Sequence, residues 1–331
     1  MKKRLSIMFA LLTSLMVVLA GCGNSGSADG KPEKVVIGYF PNINHAAAMV
    51  AKDKGFYEEA LGDDIEVEFR TFPDGAAFMT ALKAGELNGG MVGPGPAMNH
   101  YMNGAEVKVI AAGSTGGTVI VARDGSGIES VEDIKGKTFV SPRVGCTHDV
   151  QFETYMKELG ITSQRTGGTM KHQTGAPAQY VNLFQSGQVD VATAPEPWAS
   201  FLEEKVGAKP IIDSDKISFG ETLPAAVYAT NNNMAENNPE LTEKLMEAHK
   251  KSTDYINENP EESQEIVVNS IKEITGQELS ESVVKKAWDR INFTYEINEE
   301  ALQEFANSSH DLGFLTEKPD LSGLIDKSFI D

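Results

Sequence analysis

The sequence predicts an α/β fold with a largely parallel sheet, distributed over two lobes. Short β-branched apolar runs alternate with alanine-rich or amphipathic segments of helical spacing, the pattern of strands connected by helices. The segment with this pattern begins near Glu33 and contains about 300 residues. One compact core rarely extends over so many residues, so we expect two lobes.

The first elements illustrate the alternation. A buried strand is predicted at residues 34–40, and Asn44 is the predicted N-cap of a helix that ends before Gly55. A helix is also predicted at 148–159, in front of Gly160. Further strands are predicted at residues 65–69, 107–112, 118–122, 137–140 and 225–230.

The C-terminal third is predicted to be strongly helical. Asn238 and Asn259 each precede a proline, which places a capping asparagine before proline at the first helical position. The many Glu and Lys residues of these helices are predicted to form a solvated face.

A weak internal repeat relates residues 75–97 to residues 177–199. Each copy consists of an amphipathic helix ended by a glycine, Gly85 or Gly187, then a short buried strand and a proline-rich loop. Any helix–glycine–strand unit gives a similar pattern, so chance similarity is the alternative. If the repeat is genuine, each lobe contributes one proline-rich loop at the carboxyl end of a strand, where open α/β sheets bind ligands. Facing strand ends would then form a cleft.

The first 22 residues have the features of a bacterial lipoprotein signal. Cations at positions 2–4 precede an apolar run at 5–20, and Leu-Ala-Gly precedes Cys22. The run is shorter than the roughly 20 residues that a membrane-spanning helix needs. We expect Cys22 to carry fatty acyl chains such as palmitate and to anchor the protein outside the cytoplasmic membrane. An uncleaved anchor helix is the alternative. Residues 23–32 are predicted to be a flexible tether.

Charge and cysteine content argue against a nucleic-acid partner, a basic anion-binding surface and an intramolecular disulfide. The net charge is −19, and loss of the three signal cations lowers it to −22. Such acidity repels nucleic acid and anionic lipid headgroups, so no polynucleotide partner is expected. An anionic ligand would need selective backbone contacts in place of a basic surface. If Cys22 carries lipid, Cys146 has no partner for an intramolecular disulfide.

Enzyme motifs are missing from the sequence. It contains no G-x-S-x-G, no Walker lysine loop and no H-E-x-x-H, and residues 93–96 have prolines where a dinucleotide fingerprint needs turn-to-helix residues. Cys146, near a predicted helix start, should have a lowered thiol pKa. However, Cys146 and His148 are two residues apart and do not face each other on a helix. We predict a protein that is not an enzyme and needs no cofactor.

Metal binding is the next alternative. The six histidines are scattered, with no pair at i, i+4. His45, Cys146 and His148 could converge in a cleft and would suit zinc. Isolated histidines are more often ordinary surface or core residues, so no metal site is predicted.

Three loops of small residues remain, each at a predicted strand end and often at a helix start: residues 44–45, 114–116 and 145–147. Helix N-termini offer unpaired N–H groups and a positive dipole end, which bind sulfate-like anions without a cation. Arg143 is the cation near these loops. The alternative is that its side chain points to solvent.

Four runs together resemble one family. They are GYFPNINHA at 38–46, VGPGPA at 92–97, SPRVGCTHDVQF at 141–152 and APEPWA at 194–199. In order and spacing they are similar to the periplasmic or lipid-anchored substrate-binding proteins of ABC importers for aliphatic sulfonates, taurine and nitrate. The resemblance covers essentially the whole mature chain.

The resemblance implies the type II periplasmic-binding-protein fold, in which two α/β lobes joined by two crossover strands close over a ligand. The first lobe would comprise residues 33–122 and 222–331, and the second residues 123–221. By position, the implied ligand-binding residues are Asn44, His45, Ala46, Gly93, Pro94, Gly95, Ser114, Thr115, Gly116, Gly145, Cys146, Thr147, Glu196 and Trp198.

The implied function is that of a monomer that delivers a small anionic organic solute, an aliphatic sulfonate first, to an ABC permease. Nitrate, another anion, a metal chelate and a fold-sharing pyrimidine-precursor enzyme are the alternatives. Cys146 stands where family members with these motifs often carry a polar residue without a thiol, which leaves the ligand open. Trp198 favours a ligand with an apolar body over bare nitrate.

Overall fold

The computed structural model describes residues 32–330. The predicted signal, Cys22 and all but the last residue of the predicted tether lie outside this range. The strands are β1 (Lys34–Tyr39), β2 (Glu66–Thr71), β3 (Gly89–Val92), β4 (Val107–Gly116), β5 (Thr118–Ala122), β6 (Thr138–Ser141), β7 (Lys171–Thr174), β8 (Val191–Pro195), β9 (Lys209–Ile212), β10 (Pro224–Asn231) and β11 (Ile291–Phe293).

The helices follow the strands closely in sequence, as the alternating pattern predicts. They are α1 (Ala46–Lys54), α2 (Phe56–Leu61), α3 (Gly75–Lys83), α4 (Pro94–Met102), α5 (Thr147–Glu158), α6 (Tyr180–Gln185), α7 (Trp198–Val206), α8 (Asn232–Asn237), α9 (Pro239–Glu258), α10 (Pro260–Thr275), α11 (Glu281–Trp288) and α12 (Glu299–Asp311). Short 3-10 turns occur at Ile43–His45, Val131–Ile134, Gln164–Thr166 and Pro177–Gln179. None of these helices combines the length and the apolar character needed to cross a membrane.

The strands form two sheets. The first has the order β11-β4-β10-β3-β1-β2 and the second the order β7-β6-β8-β5-β9. In the first sheet β1 and β3 are parallel, and β10 is antiparallel to both β3 and β4. In the second sheet β6 is parallel to β7 and β8, and β5 is antiparallel to β8 and β9.

Two crossovers connect the sheets. The chain leaves the first sheet at the end of β4 and enters the second at β5, and it returns between β9 and β10. The predicted α/β fold with two crossover strands is confirmed. The predicted largely parallel sheet is wrong, because the long strands β4, β5 and β10 at the crossovers run antiparallel to their neighbours. The lobe boundaries stay predictions; β5, at residues 118–122, pairs with β8 and β9 of the second sheet.

The two copies of the repeat have matching local structure. α3 and α6 are each followed by a glycine in the left-handed region, Gly85 at φ 74° and Gly187 at φ 66°. A side chain with a Cβ rarely adopts this conformation, so glycine ends both helices. The strands that follow, β3 and β8, each lie parallel to a neighbour, β1 or β6.

The predicted end of the fourth strand is wrong. The sequence pattern indicates a strand at 107–112 and a loop around Ser114, whereas β4 extends to Gly116. The extension has a partner, because Ser114 pairs with Phe293 and Gly116 with Ile291 of β11. Backbone hydrogen-bonding groups of a buried segment need partners, and this partner is too distant in sequence for a local pattern to reveal.

The starts of α9 and α10 at Pro239 and Pro260 are confirmed, and Asn238 and Asn259 occupy the predicted N-cap positions, but neither side chain forms a cap hydrogen bond to the helix that follows. The side chain of Asn238 donates to the carbonyl of Asn233, and that of Asn259 donates to the carbonyl of Tyr255. Each asparagine therefore closes the helix before it, because two helices meet there without an intervening loop.

Candidate functional site

A cleft of about 480 Å³ lies where residues from both sheets and their connecting loops meet. Six helices begin at or directly after residues on its wall: α1, α3, α4, α5, α6 and α7. Helix N-termini carry unpaired N–H groups and a partial positive charge. The wall therefore collects helix N-termini from both halves of the protein, although carboxylates already occupy N–H groups at two of them, Asp74 at α3 and Glu196 at α7.

The predicted site residues divide into two sets. Those on the cleft wall are Asn44, His45, Gly93, Cys146, Thr147 and Trp198. Those that do not line the cleft are Ala46, Pro94, Gly95, Ser114, Thr115, Gly116, Gly145 and Glu196. Members of this second set that contact wall residues, such as Ser114 and Gly95, support the wall without lining it.

Asn44 is held by two of these supporting residues. Its Nδ2 donates to Ser114 Oγ and to the Gly116 carbonyl, each at 3.1 Å, and Ser114 Oγ donates back to the Asn44 carbonyl at 3.1 Å. The Oδ1 atom of Asn44 is buried without a hydrogen-bond partner. Ser114 and Gly116 thus position an amide whose acceptor oxygen has no partner within the described residues.

The starts of α4 and α5 touch each other. The N–H of Gly95 donates to Thr147 Oγ1 at 3.2 Å. A Cβ on Gly93 would lie 2.5 Å from Thr147 Oγ1, and one on Gly95 would lie 2.8 Å from the Thr147 nitrogen. Only glycine permits so close an approach, so this part of the VGPGPA run is explained by helix packing.

The predicted lowering of the Cys146 thiol pKa is wrong. Burial, with a contribution from Asp149, raises the pKa of Cys146 to about 12, although nearby backbone hydrogen bonds act in the opposite direction. Desolvation disfavours the thiolate more than the helix N-terminus favours it. Cys146 faces the cleft as a neutral thiol and is no nucleophile at neutral pH.

Two backbone donors that the sequence offers to an anion are engaged within the protein. The N–H of Gly145 donates to Asp149 Oδ2 at 2.8 Å, and that of Cys146 donates to the Arg143 carbonyl at 3.2 Å. The Gly145 carbonyl accepts from Asn99 Nδ2 at 2.9 Å. The loop is therefore built by internal hydrogen bonds before any ligand arrives.

Arg143 forms an ion pair at the cleft rim. Its Nη1 lies 3.1 Å from Asp74 Oδ2, and its side chain is half exposed. Asp74 Oδ1 accepts from the N–H groups of Ala76 and Ala77 and so caps α3. Because Asp74 compensates its charge, Arg143 is not a free cation for a ligand.

Two histidines face the cleft from opposite halves. Burial and the proximity of His148 lower the pKa of His45 to about 3, and burial lowers the pKa of His148 to about 4. Both imidazoles are therefore neutral at neutral pH. His45 Nδ1 is buried without a hydrogen-bond partner.

Glu196 lies away from the cleft wall and is fully buried. Its Oε1 lies 2.6 Å from Arg290 Nη1 and also accepts from Ser200 Oγ at 2.9 Å. Burial raises the pKa of the Glu196 carboxyl, against the opposing effect of Arg290. Arg290 also pairs with Asp213, at 2.8 Å. This network joins the end of β8 to the segment before β11, near the crossovers.

Trp198 lines the cleft and also links two loops through a hydrogen bond. Its indole is 2% exposed, and its Nε1–H donates to the Pro41 carbonyl at 3.2 Å. The bond connects the loop after β8 to the loop after β1. One face of the wall is thus a fixed aromatic surface.

Sequence reasoning missed several wall residues. Phe40 and Asn42 lie within the GYFPNINHA run but were not singled out, and Phe72 and Asp74 follow β2 just before α3. The sequence signal for Phe72 and Asp74 is the one that marks the predicted loops, a strand end followed by a helix start. Gln179, Asn182 and Gln277 also line the cleft, and no local pattern marks them.

Asp149, Glu153 and His172 form a group of possible metal ligands, the one found within residues 32–330. Their potential ligand atoms lie within 4.8 Å of one another. His45, Cys146 and His148 do not form such a group. Glu153 Oε2 accepts from Arg165 at 3.0 Å and from Ser163 Oγ at 2.8 Å. A guanidinium thus already compensates this buried acidic group.

Comparison with known proteins identifies the family. The model of the NMT1-like family matches residues 28–270. A Bacillus subtilis (strain 168) protein named for the binding of aliphatic sulfonates is 25% identical over 338 aligned positions, which cover 100% of this chain and 96% of that protein.

Solved structures share the fold. The alkanesulfonate-binding protein SsuA from Xanthomonas axonopodis pv. citri, bound to MOPS, has a TM-score of 0.76 at 17% identity, over 89% of this chain and 99% of that chain. The zinc-bound ligand-binding component of an ABC-type import system from Staphylococcus aureus has a TM-score of 0.74 at 19% identity, over 90% and 98%. The chain belongs to the NMT1-like family and has the fold of the solute-binding components of ABC import systems.

Proposed function

We propose that this protein is an extracytoplasmic solute-binding protein that delivers a small anionic organic solute, an aliphatic sulfonate first, to the permease of an ABC importer. The observation that carries the proposal is the convergence of the N-termini of α1, α4 and α5 on one cleft. The first turns of α3 and α7 also reach it, but N–H groups there already donate to Asp74 and Glu196. An anion beside one helix N-terminus gains about 0.3–1 kcal/mol, and more where it is partly buried. Such a site can hold an anion in a chain of net charge −19 without a free basic side chain.

The rest of the wall suits an organic body. Phe40, Phe72 and Trp198 present aromatic surface, and Pro41, Pro96 and Pro142 add apolar contact. A cleft of about 480 Å³ has room for far more than a nitrate ion. An alkyl chain attached to the anionic head therefore has apolar surface to cover.

The proposed mechanism is binding without chemistry. Cys146 is a neutral thiol. His45 and His148 line the same wall, and their lowered pKa values keep both imidazoles neutral. Neutral imidazoles donate and accept hydrogen bonds, which suits recognition. The names of the similar proteins, which describe binding, agree with this reading.

The proposed location rests on the sequence alone. Cys22 follows Leu-Ala-Gly and would carry the lipid anchor. Cys22→Ser should leave an unprocessed precursor or release the protein from the membrane fraction. Fractionation of cells with immunodetection measures this. Normal membrane retention of a processed Cys22→Ser protein would refute the lipoprotein proposal.

One observation favours a second candidate ligand. Asn42 Oδ1 and Asn44 Oδ1 are buried acceptors without partners, and both residues line the cleft. They suit a ligand that donates hydrogen bonds, such as an uncharged planar heterocycle with amino groups. A sulfonate that carries an amino group satisfies these acceptors as well.

A ligand panel separates the candidates. Purified protein is titrated calorimetrically with butanesulfonate, taurine, nitrate and an aminopyrimidine, with thermal shift as a second readout. Bound ligand stabilises the native state by RT ln(1 + [L]/Kd), which is about 2.7 kcal/mol at 100 Kd. We expect the sulfonates to bind and nitrate to bind more weakly. Binding of the aminopyrimidine without binding of any sulfonate would overturn the proposal in favour of the second candidate.

A further inference from the structure

We infer that His45 and His148 form the head-group subsite of the cleft, and that an anion bound between them draws a proton from solvent onto an imidazole. The inference rests on the proposed function and deepens it. It assigns the anionic head to two named side chains and makes affinity depend on pH.

The positions of the two residues carry the inference. His45 ends the 3-10 turn that leads into α1, and His148 lies in the first turn of α5. The two imidazoles line the same cleft from opposite halves, and His148 is close enough to contribute to the lowered pKa of His45. A ligand that touches both would therefore bridge the two halves.

His45 has an unmet hydrogen-bonding need. The residue is 4% exposed, and Nδ1 has no partner in the described chain. Buried polar atoms are almost always hydrogen-bonded, so an orphan on a cleft wall points to a ligand. An anion oxygen at this nitrogen would accept a hydrogen bond from it once Nδ1 carries a proton.

Few other charges compete at this place. The remaining titratable side chains on the wall are Cys146, a neutral thiol, and Asp74, which is paired with Arg143. On α5 itself, the Asp149 carboxyl accepts a hydrogen bond from the Gly145 N–H. In the described part of the cleft, the imidazoles are thus the groups that can supply a positive charge without breaking an existing pair.

The sign of the linkage follows from the free state. Both histidines are neutral at neutral pH in the free protein, since their pKa values are lowered to about 3 and 4. An opposite charge within hydrogen-bonding distance raises such a pKa by about 1–3. The bound state then holds more protons than the free state. Affinity must rise as pH falls, by up to about tenfold per pH unit for one proton.

No covalent step is involved. The proton comes from the buffer, ends on a ring nitrogen of His45 or His148, and returns to the buffer when the ligand leaves. An uncharged ligand of the same shape supplies no such stabilisation. Proton uptake is therefore the signature that distinguishes the head-group assignment from simple filling of the cleft.

The experiment is calorimetric titration at pH 6 in two buffers of different ionisation enthalpy, with butanesulfonate and its uncharged isostere butanesulfonamide. We expect uptake of a substantial fraction of a proton with the sulfonate and none with the sulfonamide. His148→Gln and His45→Gln should each reduce the uptake and flatten the pH dependence of Kd. His310→Gln, on α12 outside the cleft, is the control and should leave both unchanged.

A second measurement keeps the two proposals separate. Histidine ring signals are followed by NMR from pH 8 to 5 with and without inorganic sulfate, and the two glutamine variants assign the signals. Raised pKa values with sulfate but no butanesulfonate binding would retain the subsite and refute the sulfonate function. Tight butanesulfonate binding without proton uptake would refute the subsite and retain the function. If neither sulfate nor butanesulfonate binds, both the subsite and the sulfonate function are refuted.

Discussion

The backbone N–H of Gly95 donates a hydrogen bond to the side-chain hydroxyl of Thr147, and this 3.2 Å contact joins the first turn of α4 to the first turn of α5. α4 follows a strand of the first sheet, and α5 follows a strand of the second. The bond therefore fastens the two halves at the cleft. Thr147 is both a wall residue and part of this fastening, so its hydroxyl accepts from the protein while its proton is available to a ligand.

Thr147→Ala should weaken ligand binding about tenfold or more and also destabilise the protein. The substitution leaves the buried Gly95 N–H without its acceptor, which costs on the order of 1–3 kcal/mol. Urea unfolding measures the stability, and calorimetric titration with butanesulfonate measures the affinity. Thr147→Ser keeps the hydroxyl and is the matched control. Equal losses in the serine variant would contradict the role of the hydroxyl.

Ser114→Ala should weaken binding about tenfold although Ser114 does not line the cleft. The hydroxyl accepts from Asn44 Nδ2 and donates to the Asn44 carbonyl, so its loss frees the amide to turn away from the ligand. A double-mutant cycle with Asn44→Ala checks the mechanism, because residues that act through one another give non-additive free energies of binding. Additive effects on Kd would show that Ser114 acts independently of Asn44.

Cys146 should resist alkylation in the native protein. At pH 8 the rise of its pKa from an ordinary value of 9.0 to about 12 lowers the thiolate fraction about a thousandfold. Mass spectrometry after iodoacetamide treatment of a Cys22→Ser form measures the rate, and the same protein in urea is the control. Rapid labelling of the native protein would contradict the burial of this thiol.

The same pKa rise predicts how Cys146 affects stability. The folded-state pKa lies above the unfolded one, so the contribution of the neutral thiol is complete below pH 9 and is lost as pH rises toward 12. Cys146→Ala should therefore reduce the alkaline loss of unfolding free energy, measured by urea titrations at pH 8 and pH 10.

Trp198→Ala should weaken the binding of long alkanesulfonates more than that of short ones. The indole forms a fixed apolar part of the wall, and its removal takes away contact with an alkyl chain but not with the charged head. We expect roughly a tenfold loss for octanesulfonate, equivalent to about 1.4 kcal/mol, and a smaller loss for ethanesulfonate. Trp288→Phe, which changes a ring packed on Phe293 outside the cleft, is the control. A uniform loss along the series would mean that Trp198 acts only through its bond to Pro41.

The local pattern predicted the elements that local chemistry controls. The strand at β1, the helix α1 that ends before Gly55, and the glycine-ended helices of the repeat are all present. The predicted N-cap of α1 is wrong: Asn44 lies in the preceding 3-10 turn, and His45 occupies the N-cap position. The reason is that apolar periodicity, helix caps and glycine at positive φ depend on neighbours within a few residues. The helix-start loops of the site were predictable for the same reason, and Asn44, His45, Cys146 and Thr147 do reach one wall.

The support of that wall was decided by contacts that are distant in sequence. Ser114 lies in a strand and not in a loop because β11 pairs with it, and Glu196 is drawn from the cleft to Arg290, 94 residues away. Cys146 is a neutral thiol because the fold buries it, which outweighs its place at a helix start. The sequence by itself determined which segments end as strands and begin as helices, since those signals are local. Only the tertiary structure decided which side chains face the ligand and which are desolvated or paired, because burial and ion pairing exist only once distant segments have packed together.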